Sequence, residues 1–457
     1  MDYQELAHVD FLPELERLDL DEKAEVIQAL LERNFFHPSG LFYSILLITG
    51  PHALRPMTAA DMEGTSDLDN IWVDADGHGI DGTETIEAAK NEGPTFENSI
   101  TSAGLYLQAQ AARYAVSRDP LAYKQAQAAL NSLKLIYDYS KERGRAGWLG
   151  KPYGRVPKDH SAPDQYLDAL LGLYRFHEVA DAPERATIAG MVSDIAEFMS
   201  GRDYQIWNLR EPVDAFPWNL REPYCNATYV LAQALAFRLT GEDRLRAEAL
   251  RLAGLSFWRK KSQLEDWAEH NRLWVLEFER VCLGAFVLRA AGALYELLPE
   301  LFGDTPEKAR ATLERMLAQW WIFARLGIDD DFYMHYWIDI NTQRRTWQST
   351  GIRPVEHPPF AALFFSYYSD VRMSDSLYRA VHGALTVIAH LPEQREAALA
   401  WVREAMRRTS GRRLRSFIDL DGRQLKPELR WMECYLSSES PFHYLTVYWR
   451  GRQRGYW

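Results

Sequence analysis

The sequence predicts an all-α fold in which helical hairpins close into a ring, an (α/α) toroid. Apolar residues recur at helical spacing from Glu97 onward, and the helices come in pairs separated by short turns. The first helices of the pairs begin near residues 97, 164, 224, 274 and 357, at uneven intervals and without a common consensus, which disfavours an open solenoid of repeats. A chain of 457 residues is long enough for every hairpin to complete one ring. We therefore expect a single toroid domain over 1–457, in which 1–95 contributes N-terminal helices and a long loop.

The first two hairpins show the helical pattern clearly. The first begins at Glu97, and Asp119 and Pro120 supply an N-cap and a first-turn proline for its return helix. The second runs from Ser161 to about Gly201. Its return helix is marked by apolar residues at near-ideal spacing: Ile188, Met191, Val192, Ile195, Ala196 and Met199.

Three further hairpins are predicted from the same signals. The third covers 224–252 and turns at 241–243, and the fourth covers 273–324 and turns around Pro299 and Gly303. A fifth opens at 360–367, turns near 374–375 and returns through 377–385. Helices at 14–34 and 395–408 add further walls. Small residues on the first helices would let them crowd around a central axis: Ala103, Gly104, Ala169, Gly172, Ala232 and Ala234.

The overall charge disfavours polyanionic partners. Lys and Arg number 52 against 64 Asp and Glu, which gives a net charge of -12 and predicts binding to neither nucleic acid nor anionic membranes. The basic cluster at 407–415 is interpreted as a solvated helix end. The three cysteines are isolated, so we expect no metal site, and no cofactor motif is found. Without a signal peptide or an apolar span, a cytoplasmic protein of open oligomeric state is expected.

One stretch resembles a known superfamily. Gly147–Gly150, followed by His160-Ser-Ala-Pro-Asp-Gln-Tyr-Leu-Asp168, is similar to an element that opens an inner helix in the six-hairpin glycosidase superfamily. The resemblance covers about 95–202 and implies an (α/α)6-type toroid. It also implies a carbohydrate-active enzyme, such as a glycoside hydrolase acting on uronic-acid-containing sugars, a polysaccharide lyase or a sugar epimerase. Fold alone does not fix the reaction.

Glycoside hydrolysis needs one protonated carboxyl group and one carboxylate. Asp164 and Glu97 each stand at the start of a first helix beside polar and aromatic neighbours, which makes them the best candidate pair. Each also fits an ordinary helix cap or first-turn acid. The resemblance around Asp164 favours a functional role for that residue.

Other candidates lie in the long segments before the first helices. Segment 329–339 holds four acids, one histidine and several aromatic residues, and its Asp330, His335 or Asp339 could meet a substrate; a solvated turn explains the same pattern equally well. The candidates for stacking on a sugar are Trp218 and Trp337. The candidates for a bidentate hydrogen bond to a uronate carboxylate are Arg155 and Arg221.

A lyase would use a tyrosine or histidine base, for which His160, Tyr224 and His335 are candidates. His443 is a further candidate for substrate binding. The sequence thus predicts a glycoside hydrolase acting on an oligo- or polysaccharide. A polysaccharide lyase, a sugar epimerase and a carbohydrate-binding protein without activity stay open as alternatives.

Overall fold

Helices make up most of the part of the chain that the structure describes. The computed structural model describes residues 6, 8–58, 61, 93–207, 209, 220, 223–255, 274–276, 281–328, 330–332, 337–339, 344–346, 372–373, 375–415, 417–418 and 434–457. Within them lie twelve helices of at least 13 residues. They are α1 (Leu20–Asn34), α2 (Ser99–Ser117), α3 (Pro120–Lys141), α4 (Pro163–His177), α5 (Ala182–Gly201), α6 (Pro223–Thr240), α7 (Asp243–Leu255), α8 (Leu283–Leu297), α9 (Pro306–Gly327), α10 (Asp375–His390), α11 (Arg395–Arg407) and α12 (Glu439–Gln453).

The even-numbered helices form a closed inner ring. Helix α2 packs on α4, and the contacts continue through α6, α8, α10 and α12, which packs back on α2. The odd-numbered helices lie outside this ring; α3 packs on α2, α7 on α6 and α11 on α10. The fold is therefore the all-α toroid of helical hairpins that the sequence predicts.

Burial distinguishes the inner helices from the outer ones. Residues 99–112 of α2 and 225–236 of α6 are all buried, because neighbours surround an inner helix on every side. Outer helix α5 instead buries one stripe, Ile188, Met191, Val192, Ile195, Ala196 and Met199, as its sequence pattern predicts. Asp119 caps α3 by accepting a hydrogen bond from the backbone N–H of Leu121, which confirms that boundary.

Short strands join the ends of the ring. An antiparallel sheet has the order β10-β1-β2, with β1 (Ile45–Gly50), β2 (Ala53–Pro56) and β10 (Tyr435–Ser437), and it ties the N-terminal segment to the start of α12. The hairpin of β3 (Pro152–Tyr153) and β4 (Val156–Pro157) precedes α4. The remaining described strands are β5 (Trp274–Leu276), β6 (Trp337–Asp339), β7 (Arg344–Thr346), β8 (Arg372–Met373) and β9 (Phe417–Ile418).

Two glycines allow the closest approach in the inner ring. A Cβ atom at Gly104 of α2 would lie 2.3 Å from the carbonyl oxygen of Asp168 in α4, and one at Gly172 would lie 2.6 Å from the carbonyl oxygen of Gly104. The two backbones therefore pack against each other without side chains between them. The prediction that small residues let inner helices crowd together is confirmed at this crossing.

The structure corrects three details of the predicted hairpins. Residues 377–385 belong to inner helix α10, whereas the sequence pattern suggested a return helix. Trp274 lies in strand β5, so the inner helix expected near 274 begins only at Leu283. The sixth inner helix, α12, was not predicted, because its start at Ser438 and Glu439 is polar and lacks the apolar spacing of a helix. Residues 347–371, which include the expected start at 357, lie outside the described residues.

No helix in the described part of the chain is both long and apolar enough to cross a membrane.

Replacing Gly104 tests the close crossing of α2 and α4. Gly104→Ala should lower the free energy of unfolding by about 2–3 kcal/mol, because its new methyl group overlaps the Asp168 backbone and the helices must separate. Gly190→Ala, in outer helix α5, is the matched control, since a Cβ atom there meets open space. That control should stabilise the protein by about 0.5–1 kcal/mol. Urea unfolding of both variants measures the difference, and equal effects would refute the crossing.

Candidate functional site

Polar residues converge where the inner helices begin. Inner and outer helices alternate along the chain, so the N-terminal ends of all six inner helices lie at one end of the ring. Glu97, Asp164, Tyr224 and Glu439 stand just before or within the first turns of four of them. A ring of helix N-termini stabilises negative charge, so this end suits carboxylates and oxygen-rich ligands.

Glu97 forms an ion pair with Lys151, with 2.8 Å between Glu97 Oε1 and Lys151 Nζ. Lys151 lies just before β3, and its side chain is 11% exposed. Burial alone would raise the pKa of Glu97, but Lys151 and Tyr153 hold it below its usual range. Burial would likewise lower the pKa of Lys151, whereas the charges of Glu97 and Asp164 raise it. Both groups are therefore charged at neutral pH.

Asp164 and Tyr224 contact each other between α4 and α6. The backbone N–H of Asp164 donates to the Tyr224 hydroxyl oxygen at 3.0 Å. Burial and the charge of Asp164 raise the pKa of Tyr224 well above its usual value, so the phenol keeps its proton. Asp164 Oδ1 is buried and has no hydrogen-bond partner among the described residues. This oxygen is available to a ligand.

His160 lies beside this group with a lowered pKa. Burial and the neighbouring Lys151 lower the pKa of His160 to about 4, so the imidazole is neutral. Burial also lowers the pKa of Lys158 to about 8, and its ammonium lies 4.1 Å from the Tyr153 ring centre. The predicted residues Glu97, Asp164, His160 and Tyr224 are thus brought together, although no observation tests their catalytic roles.

A second ion pair joins inner helices α10 and α12. Arg379 donates to Glu439, and Asn98 donates to the other oxygen of that carboxylate at 3.4 Å. Both charged side chains are almost fully buried, at 12% and 6% exposed. Glu439 also contributes to the raised pKa of Lys151, so the two ion pairs belong to one electrostatic group.

About one helical turn deeper, four polar residues cross the axis of the ring. Asp168 of α4 accepts from Arg289 of α8, and both side chains are buried. Arg289 Nη1 lies 3.4 Å from Nδ1 of His382, which in turn lies 3.0 Å from Nδ1 of His443. Burial raises the pKa of Asp168 to about 6, partly offset by Arg289. We call these four residues the axial chain.

The hydrogen bonds restrict the tautomers of the two histidines. Burial lowers the pKa values of His382 and His443 well below the usual range, so both rings are neutral. The two Nδ1 atoms share one hydrogen bond, and either ring can donate it. With His382 as the acceptor, which its contact with the Arg289 guanidinium favours, His443 Nε2 carries no proton. That Nε2 is buried and has no hydrogen-bond partner among the described residues.

Other predicted residues lie elsewhere. Asp330 is exposed, and its carbonyl oxygen accepts from Arg408 at the end of outer helix α11, so the structure does not place it with the inner-helix residues. Arg155 is buried in the β3–β4 turn and has interaction partners of its own. Trp337 and Asp339 lie in β6, where only the backbone is described. Trp218, Arg221 and His335 lie outside the described residues.

Comparison with known proteins supports the architecture. The chain is similar to a sugar epimerase from a ruminal bacterium, with 11% identity, a TM-score of 0.51, and coverage of 94% of this chain and 99% of that one. It is also similar to a D-mannose isomerase, with 10% identity, a TM-score of 0.50, and coverage of 94% and 96%. The comparison supports the (α/α)6 toroid fold that the helix contacts show. No protein-family model and no curated protein sequence matches the chain.

Sequence reasoning missed much of the toroid's polar interior. Lys151, Arg379, Arg289 and His382 lay in no motif, and Asp168, the last residue of the stretch that resembles the superfamily, was not singled out. A signal was nevertheless present, because Arg289 is the only charged residue within 283–294 of α8. A charge within a helix that is buried on all sides needs a partner, and Asp168 is that partner for Arg289.

Removing one member of the Glu97–Lys151 pair should destabilise the toroid. Glu97→Gln should cost about 2–4 kcal/mol of unfolding free energy, because Lys151 is left enclosed without its counter-ion. The double variant Glu97→Gln/Lys151→Met should recover part of this loss. A double-mutant cycle by urea unfolding gives the coupling energy, and additive losses would contradict the ion pair.

His160 should make stability depend on pH. Its pKa of about 4 in the folded protein lies below the 6.5 of a free histidine, so the unfolded chain binds the proton first as the pH falls. This contribution is complete above about pH 6.5 and is lost as the pH falls toward 4. Between pH 7 and 5 it amounts to about 1–2 kcal/mol. Urea unfolding of His160→Asn should show a shallower decline by that amount, and parallel pH profiles would contradict the assignment.

Proposed function

We propose that this protein isomerises or epimerises a sugar by moving a proton at the carbon next to the sugar carbonyl. The observation that carries the proposal is the Nε2 atom of the neutral His443, which is buried at the end of the axial chain and has no hydrogen-bond partner among the described residues. Hydrogen atoms on such a carbon are removable by a well-placed base, because the resulting negative charge spreads onto the carbonyl oxygen.

The reaction follows from proton transfer alone. His443 Nε2 takes the proton from the carbon next to the carbonyl, and the carbonyl oxygen is protonated to give an enediol. Return of a proton to the opposite face of the same carbon yields the epimer. Return to the former carbonyl carbon yields the aldose or ketose isomer. Product and substrate have the same atoms and oxidation level, so the reaction needs no second substrate.

The group at the N-terminal ends would hold the sugar. Tyr224, a phenol that keeps its proton, can donate to an oxygen that becomes negative, and Lys151 can stabilise the same charge. The buried, unpartnered Oδ1 of Asp164 can accept a hydrogen bond from a sugar hydroxyl. We assign Asp164 this orienting role, with Glu97 holding Lys151 in place.

The two similar structures carry names that belong to the same class of reaction. They are named as a D-mannose isomerase and a sugar epimerase, and the present chain spans almost the full length of both. At this low sequence identity the likeness supports the fold, and the axial chain supports the reaction.

Glycoside hydrolysis, the reaction favoured by the sequence, has less support. It requires a carboxyl group that is protonated near neutral pH, and the pKa of Glu97 is instead lowered by Lys151 and Tyr153 despite burial. Glu97 therefore does not suit the role of general acid. The alternative named from the sequence, a sugar epimerase, agrees better with two neutral imidazoles.

Solvent deuterium distinguishes these reactions. Aldoses, ketoses and reducing disaccharides incubated with the protein in D2O should gain deuterium at the carbon next to the carbonyl, followed by NMR, while a new epimer or isomer forms. New reducing ends without deuterium uptake would instead indicate a hydrolase. An unsaturated product that absorbs ultraviolet light would indicate a lyase.

A substitution of His443 distinguishes the roles of its two ring nitrogens. In His443→Asn the side-chain amide can still form the hydrogen bond to His382, as Nδ1 does, but the basic Nε2 is lost. The variant should fold and lose at least about 100-fold in kcat. His52→Asn, at a side chain 58% exposed, is the control and should retain activity. Deuterium uptake at the parental rate in folded His443→Asn would overturn the assignment.

A further inference from the structure

A cavity lies at the opposite end of the ring, where the inner helices end. Its narrow part, of about 40 Å³, reaches from Arg289 and His382 to the last turns of α4, α8, α10 and α12. A wider pocket of about 520 Å³ shares four of its lining residues, Arg175, Glu296, Arg450 and Arg454. None of these four belongs to the group at the N-terminal ends. The cavity is therefore a separate candidate site.

Three guanidinium groups surround the wider pocket, and two of them share a single carboxylate as their acceptor. Glu296 accepts from Arg175 at 2.7 Å through one oxygen and from Arg454 at 2.9 Å through the other. Glu178, at 3.4 Å from Arg175, is the second acid of the pocket. Three positive charges thus face two negative charges, and both Glu296 oxygens are already engaged.

Arg450 is the unmatched member of this group. No described carboxylate, carbonyl or hydroxyl accepts a hydrogen bond from its guanidinium. Burial, with the nearby positive charge of Arg175, lowers the pKa of Arg450 to about 9, against its usual value above 12. Arg450 is half-buried, and its guanidinium, with five N–H donors, lines the pocket.

The helix dipole explains the three arginines only in part. Cations in the last turn of a helix are common because they complement its negative end. Arg175 and Arg454 also have carboxylate partners. Arg450 lies in the last turn of α12, and no described carboxylate forms an ion pair with it.

We propose that this pocket binds a small oxyanion of the phosphate or phosphomonoester class, with Arg450 as its principal ligand. A group with three or more oxygens can accept from Arg450 and from the half-exposed Arg454 without displacing Glu296. A single carboxylate offers only two oxygens. The pocket lies beneath Arg289 and His382, on the far side of the axial chain from the N-terminal group.

Calorimetric titration tests the proposal with the full chain. Inorganic phosphate and glycerol phosphate are titrated separately at constant ionic strength in chloride, into the parental protein, Arg450→Met and Arg452→Met. Arg452 is the matched control, since it lies on the same helix and pairs with Asp21 outside the pocket. We expect saturable binding to the parental protein and to Arg452→Met, and at least tenfold weaker binding to Arg450→Met. Tighter binding of glycerol phosphate would assign the site to a phosphate ester, and tighter binding of phosphate to the free ion.

Thermal unfolding without phosphate gives an independent readout. Arg450→Met should be at least as stable as the parental protein, because it removes a positive charge that lies near Arg175 and has no described ion-pair partner. Phosphate should raise the Tm of the parental protein and leave that of Arg450→Met unchanged. No saturable binding of either ligand to the parental protein would overturn the proposal, as would equal binding to Arg450→Met. An Arg450→Met protein that cannot fold would also contradict it. None of these outcomes depends on sugar isomerisation.

Discussion

The pairing of Asp168 with Arg289 follows from the way the inner ring is closed. Six helices surround one axis, so a charged side chain directed inward is removed from water and must find its partner on another inner helix. Asp168 and Arg289 are 0% and 3% exposed in their side chains and satisfy each other across the ring. Replacing either alone would leave a buried charge, which is far more costly than the absence of the pair. This requirement links α4 to α8, and through His382 and His443 to α10 and α12.

The common direction of the inner helices also gives the two ends of the ring different chemistry. At the N-terminal ends, carboxylates face the positive ends of helix dipoles and are further neutralised by Lys151 and Arg379. At the C-terminal ends, the dipoles are negative and arginines collect instead. The axial chain lies between the two. A neutral sugar, rich in hydroxyl groups, suits the first end, and an anion suits the second.

The sequence predicted the fold because the fold depends on patterns that every helix repeats. The stripe of α5 from Ile188 to Met199 and the close contact of Gly104 with Gly172 could both be read from residue types and spacing. Helix α12 could not, because it begins with Glu439, Ser440 and Pro441, which are residue types typical of a turn. Trp274 likewise resembled a helical residue, and only its pairing with Asp339 identifies a strand.

Only part of the candidate site could be predicted from the sequence. Glu97, His160, Asp164 and Tyr224 stand near helix starts, which capping signals mark in the sequence. Arg289 and His382 stand in mid-helix, and their importance comes from partners more than 90 residues away. The surroundings of His443 depend on a series of contacts, since Asp168 pairs with Arg289, Arg289 lies beside His382, and His382 shares a hydrogen bond with His443. The environment of His443 Nε2 therefore comes from residues on three other inner helices, which neither residue type nor spacing encodes locally.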